Sequence, residues 1–335
     1  MSSWDDRRGP AHLTIVVSVR YPLHRMTVLA TNLCGVPLRN PLIAASGTAG
    51  YGPEIADVVP ATRFGAITTK SITPESRDGN PPWRVTDLPA GMLNAIGLAN
   101  LGLARFVDEV LPALDALDTV MIGSIAGHRI DDYVEVAAAF GGEDATALRL
   151  VELNVSCPNT ATGRLLGSDP DDLATLVAAA RDALGSKPML VKLSPGESDV
   201  AGLAIAAVRA GADGLTVANT YPAMSIDPET RRSRIGRAAG GMSGPAVHPI
   251  AVKLVHDVRA RLAAEGLLVP IIGLGGVQSW SDAAEFVLAG ATGVGIGTGL
   301  FVDPGAPKRV VRGLEGWVRR QGFESVEGLV GGFES

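Results

Sequence analysis

The sequence predicts a single (β/α)8 TIM barrel with long loops on its active face. Three observations lead there. Eight short apolar runs recur along the 335 residues, and helix-like amphipathic stretches separate most of them. The runs are apolar almost throughout, as strands buried on both faces must be. Glycine-rich turns follow the last two runs, where barrels place such turns. A doubly wound open sheet is the alternative, and the count of eight favours the barrel.

The elements follow in order. Residues 1–25 read as an irregular extension with no signal peptide, ahead of a second methionine, Met26, and the barrel is expected over 26–335. Residues 27–40 suit a hairpin closing the barrel bottom. The strand-like runs are 41–46, 65–70, 119–125, 149–155, 188–193, 213–218, 269–274 and 292–297. Helices are expected over 103–117, 129–139, 170–184, 198–210, 245–264, 279–289 and 307–321, and the gap at 52–61 leaves room for a short one. Asp169 ahead of Pro170, and Ser279, are natural helix caps. The connection 71–102 is too rich in Pro, Gly and Asn to be all helix, and a loop of that length on this face is usually functional.

Composition narrows the function. Hydrophobic residues make up 46% and charged residues 19%, enough for a large core, and a net charge of −6 argues against a nucleic-acid binder. No apolar run reaches membrane-spanning length. The two cysteines, Cys34 and Cys157, cannot build a disulfide framework and fit a reducing, cytoplasmic setting. The five histidines show no metal-ligand spacing, so no metal is expected.

Polar residues end the apolar runs: Ser46, Lys70, Asn154, Lys192 and Asn219. Barrel enzymes place their sites at strand C-terminal ends, so five strands point into one mouth. Gly275-Gly276 and Gly297-Thr298-Gly299 suit a phosphate, because glycines let backbone N–H groups approach one. Neither turn is a G-x-G-x-x-G opening a βαβ unit. Lys70 and Lys192 are costly at the ends of apolar runs unless they meet a polar partner or an electron-rich ring. Asn94, Asn154, Asn159 and Asn219 each offer a donor and an acceptor, as an imide or amide ring requires. Cys157 stands among these amides in "LNVSCPN".

Together the motifs resemble one family. "NPLIAASGT", "TTKSIT", "GNPPWRV", "GMLNAIGLANLG", "ELNVSCPN", "VKLSP", "ANT", "GGMSGPA", "IIGLGGV" and "GIGT" follow one another as in the class 1 dihydroorotate dehydrogenases. The resemblance implies an FMN-containing barrel that oxidises dihydroorotate to orotate in pyrimidine biosynthesis. It makes Cys157 the catalytic base. Lys70, Asn94, Asn154, Asn159, Asn219 and Thr220 become the substrate clamp, joined by the backbone of Ala95, Ile96, Gly97 and Leu98. It gives the flavin Ser46, Lys70, Ser71, Ser124, Asn154, Lys192 and Ala218, with Gly244, Gly275, Gly276, Gly297 and Thr298 as the phosphate and ribityl cradle. Arg84 would support the active-site loop.

"GGMSGPAVHP" is more similar to the NAD-linked 1B catalytic subunit, which implies a partner carrying FAD and 2Fe–2S around a homodimer core. The alternatives are a fumarate-using 1A enzyme, a dihydropyrimidine dehydrogenase-like enzyme and a non-catalytic FMN-binding barrel. Ile96 stands where the dihydropyrimidine enzymes tend to place an acid. Cys157 argues against the class 2 enzymes, which use a serine base and a membrane helix. Ala49, Ser124, Arg164 and Leu165 depart from common family choices, the last two in the loop after Cys157.

Overall fold

The computed structural model describes residues 27–156 and 166–334. Its centre is a closed barrel of eight parallel strands in chain order. These are Leu42–Ala44, Ala66–Thr68, Val120–Ile125, Leu148–Asn154, Met189–Lys192, Gly214–Val217, Ile271–Leu274 and Gly293–Ile296. The register Val294 to Leu42 joins the eighth strand to the first and closes the ring. Each strand lies within the run expected from sequence to within a residue, because burial on both faces is what makes those runs apolar.

Helices Ile130–Gly141, Pro170–Leu184, Val200–Arg209, His248–Ala264, Trp280–Ala289 and Ala306–Arg320 cover the outside. Asp169 accepts from Asp171 N and Asp172 N ahead of Pro170, and Ser279 accepts from Asp282 N in a capping box. Two expected helices differ in detail. The stretch 103–117 is shorter and contains a π-turn over Phe106–Val110 before Leu111–Leu114. Pro112 has no N–H to give, which interrupts the regular ladder there. The stretch 245–264 opens with a 3-10 turn, Pro245–Val247.

A hairpin, Thr31–Leu33 paired with Val36–Leu38, plugs the N-terminal end of the barrel. Its Leu33, Val36 and Leu38 pack against Ile43, Ile122, Leu150, Leu190 and Ile272 inside the ring. That leaves the opposite mouth for polar groups. Over this mouth stands a four-stranded antiparallel sheet, in the order Tyr221–Ala223, Gly240–Ser243, Gly91–Asn94 and Val85–Leu88. The long second connection and the connection after the sixth strand build it jointly.

Candidate active site

A cavity of about 1200 Å³ lies between the C-terminal ends of the strands and this sheet. That is far more than one ring acid occupies. Ser46, Lys70, Ser71, Asn94, the segment Ala95 to Leu98, Asn154, Lys192, Ala218, Asn219, Thr220, Gly244, Gly275, Gly276, Gly297 and Thr298 all line it. Residues spread over more than 250 positions of sequence therefore meet because strand ends converge at a barrel mouth. Cys157 and Asn159 lie outside the described residues. Ser156, the residue before Cys157, lines the same cavity.

Ser124 is not among the residues that line the cavity. It is fully buried within the third strand, and its hydroxyl lies 2.9 Å from that of Ser71. Ser71 in turn lines the cavity.

The amides form one chain of hydrogen bonds. Asn154 Nδ2 donates to Ser71 Oγ at 3.2 Å, and Asn219 Nδ2 donates to Asn154 Oδ1 at 3.1 Å and to Ser156 Oγ at 2.9 Å. Asn219 Oδ1 accepts from Thr220 N at 2.8 Å. Each amide is thereby fixed in one orientation. Behind them the Tyr133 hydroxyl, on the helix Ile130–Gly141, donates to Asn154 O at 2.8 Å and steadies the strand end.

Lys192 meets a carboxylate that the sequence reading overlooked. Its Nζ lies 3.9 Å from Glu152 Oε1, with side chains only 6% and 3% exposed. Glu152 Oε2 accepts from Thr216 Oγ1 at 2.8 Å, while Oε1 has no hydrogen bond among the described residues. Glu152, Lys192 and Thr216 sit on neighbouring strands four, five and six, so one strand pairing sets the charge pair. A buried cation and a buried anion side by side offset part of each other's desolvation cost.

At the far end, backbone replaces side chains. Gly244 has φ +101, and a Cβ there would come within 2.5 Å of Gly91 Cα; Gly276 has φ +71, and a Cβ would lie 2.7 Å from Gly244 O. Only glycine allows these turns to stack so closely. His248 Nδ1 lies 2.9 Å from Gly275 O, and Thr298 Oγ1 donates to Ser243 Oγ at 2.7 Å. Polar backbone lined by glycine suits a phosphate.

The sheet over the mouth carries the remaining candidates. Asn94 Nδ2 donates to Gly241 O at 3.0 Å across the sheet. Arg84 Nη1 donates to Asp78 O and Asn80 O, at 3.0 and 3.1 Å, and so braces the loop. Asn80 and Arg237 also line the cavity and were missed from sequence. Asn80 stood inside a quoted motif, "GNPPWRV", and that was the only signal it gave.

Known proteins resemble this chain over most of its length. The dihydroorotate dehydrogenase family profile matches residues 28–318. A protein of Solibacter usitatus named after dihydroorotate dehydrogenase A (fumarate) is 44% identical over 304 residues, 90% of this chain and 97% of its own. The dihydroorotate dehydrogenase B (NAD(+)) catalytic subunit of Caldicellulosiruptor saccharolyticus is 40% identical over 90% of this chain and 98% of its own. A crystal structure of DHODH from Eimeria tenella with ferulenol superposes with a TM-score of 0.75 at 25% identity, covering 93% of this chain and 90% of that one. The profile match over most of the barrel, together with relatives at 40% identity or more across nine-tenths of the chain, shows that the chain belongs to the dihydroorotate dehydrogenase family.

Proposed function

We propose that the chain is an FMN-dependent dihydroorotate dehydrogenase that passes its electrons to NAD through a partner subunit carrying FAD and 2Fe–2S. Family membership supports the reaction and a flavin. The observation that carries the site assignment is the convergence of Lys70, Lys192, Asn154, Asn219 and the glycine turns on one cavity of about 1200 Å³, room for a flavin and a ring acid together. The residues fit FMN: the Gly244 and Gly276 turns form a cradle that a Cβ would fill, and a buried lysine stands at the wall.

When bound, the flavin supplies a hydride acceptor for carbon 6 of dihydroorotate. The chain's own residues do the rest. Asn154 and Asn219 hold each other's amides so that the polar edges of the substrate ring meet fixed donors and acceptors. Ser71 orients Asn154, and Ser124 orients Ser71. Lys192 presents positive charge to the end of the cavity where electron density gathers, and Glu152 holds it there. The Cys157 thiolate, its own proton already released to solvent, takes the proton from carbon 5 as general base and becomes the thiol. A free thiol is a weak base near neutrality, so the step depends on thiolate formed on substrate binding. The antiparallel sheet, whose Met92, Asn94 and Gly240 to Ser243 line the cavity, stands over the ring.

A second reading has its own support, the 44% identical relative named for fumarate. The chain has no G-x-G-x-x-G βαβ unit for NAD, and its two cysteines cannot ligate a 2Fe–2S cluster. The experiment assays the purified chain with dihydroorotate and either NAD or fumarate. The proposal expects turnover with neither, and NAD reduction once the partner is added. Rapid fumarate reduction moves the chain to the 1A type, and rapid NAD reduction by the chain alone defeats the partner.

A further inference from the structure

We propose that Asn80, held in place by Arg237, is a positioning residue that turns two backbone N–H groups toward the substrate's carboxylate. The inference rests on the dihydroorotate reading of this cavity.

Asn80 uses every hydrogen-bonding group it has. Its N donates to Ile96 O at 2.9 Å, and its Nδ2 donates to Ala95 O at 2.9 Å. Its own carbonyl accepts from Arg84, and its Oδ1 accepts from Arg237 Nη2 at 2.7 Å and Nε at 3.1 Å. Arg237 comes from the connection after the sixth strand, 157 residues away. One amide thus ties together the two loops that roof the cavity.

The consequence lies in the peptide planes. In a trans peptide the C=O and the N–H point in opposite directions. Asn80 binds the carbonyls of Ala95 and Ile96, so the N–H groups of Ile96 and Gly97 face away from it. Neither N–H has an acceptor among the described residues, and both residues line the cavity. The backbone then passes through positive φ at Gly97 (+74) and Leu98 (+58). Leucine adopts that region at a cost, so the surroundings must hold it. Glycines permit the close fit: a Cβ at Gly97 would lie 2.6 Å from Asn80 N, and one at Gly79 would lie 2.4 Å from Ile96 O. Paired, outward N–H groups at such a turn make an anion seat. Arg237 is exposed and bonds Asn80 only through Oδ1, so it fixes which way the amide faces.

The test measures binding of orotate and of its neutral amide, orotamide, by flavin difference spectra of the holoenzyme. Steady-state KM and kcat are measured beside it. Arg237→Ala and Asn80→Ala should weaken orotate by about tenfold, the scale of one lost buried hydrogen bond. Orotamide should weaken much less, and KM should rise while kcat at saturation changes little. Arg237→Lys should recover part of the loss, because an ammonium can still donate to Oδ1. Orotate affinity in Arg237→Ala within twofold of wild type, or equal losses for both ligands, overturns the proposal. A wild-type protein that binds neither ligand defeats the dihydroorotate reading instead.

Discussion

Replacing Glu152 by Gln removes one charge from a buried pair and little else. A glutamine carbonyl can still accept from Thr216 Oγ1, now 2.8 Å from Oε2. What is lost is the attraction between Glu152 Oε1 and Lys192 Nζ across 3.9 Å, with both side chains more than nine-tenths buried. At an effective dielectric near 20, two unit charges about 4 Å apart attract by about 4 kcal/mol. That matches the roughly 3–5 kcal/mol lost when one partner of a buried pair is removed. The assay is urea unfolding followed by circular dichroism. At a slope of about 3 kcal/mol/M, the midpoint should fall by roughly 1 M or more. Glu152→Gln combined with Lys192→Met should regain most of that loss, since an apolar replacement leaves no orphaned charge. A midpoint unchanged in Glu152→Gln, or losses that simply add in the double variant, would refute the coupling of Glu152 to Lys192 at the cavity wall.

Three further outcomes are expected. Cys157→Ser should retain its flavin yet be reduced by dihydroorotate about two to four orders of magnitude more slowly, recovering partly at high pH; wild-type reduction rates would remove the thiol from the mechanism. Gly276→Ala should purify with less bound flavin than wild type, because its Cβ would lie 2.7 Å from Gly244 O and from His248 Cβ, and full flavin occupancy would sink the cradle. Cys34 at the barrel bottom donates to Asp213 O at 3.3 Å, and burial first, with Asp213 second, pushes its thiol up to about 12. In Cys157→Ser, iodoacetamide at pH 8 should therefore label the native protein slowly and the unfolded protein at once. The sign for stability follows: above the ordinary thiol value of 9.0 the unfolded chain loses a proton that the fold retains, so this group's contribution declines as pH rises from there toward 12. Prompt native labelling would contradict it.

The barrel was legible because its information is local. Runs such as 149–155 and 213–218 are apolar where both faces are buried, and Asp169-Pro170 and Ser279 announce their helices. The sheet over the mouth was not legible. Its strands are three or four residues long, and the pairing that joins its two halves spans 147 positions, from Asn94 to Gly241. Asn80 and Arg237 acquire meaning only through that pairing. Glu152 sat in plain view within "ELNVSCPN", but its role depends on Lys192 and Thr216 arriving on adjacent strands. Ser124 matched a flavin contact by position, yet it lies behind Ser71, in a strand buried on both faces.

The most direct test of the account is anaerobic mixing of the yellow holoenzyme with dihydroorotate in a single turnover, watching the flavin absorbance and quantifying the product. The flavin extracted from the protein should be FMN, its absorbance should bleach within the mixing experiment, and one orotate should form per flavin. A protein that purifies without flavin, or one whose flavin stays oxidised in excess dihydroorotate, would contradict it.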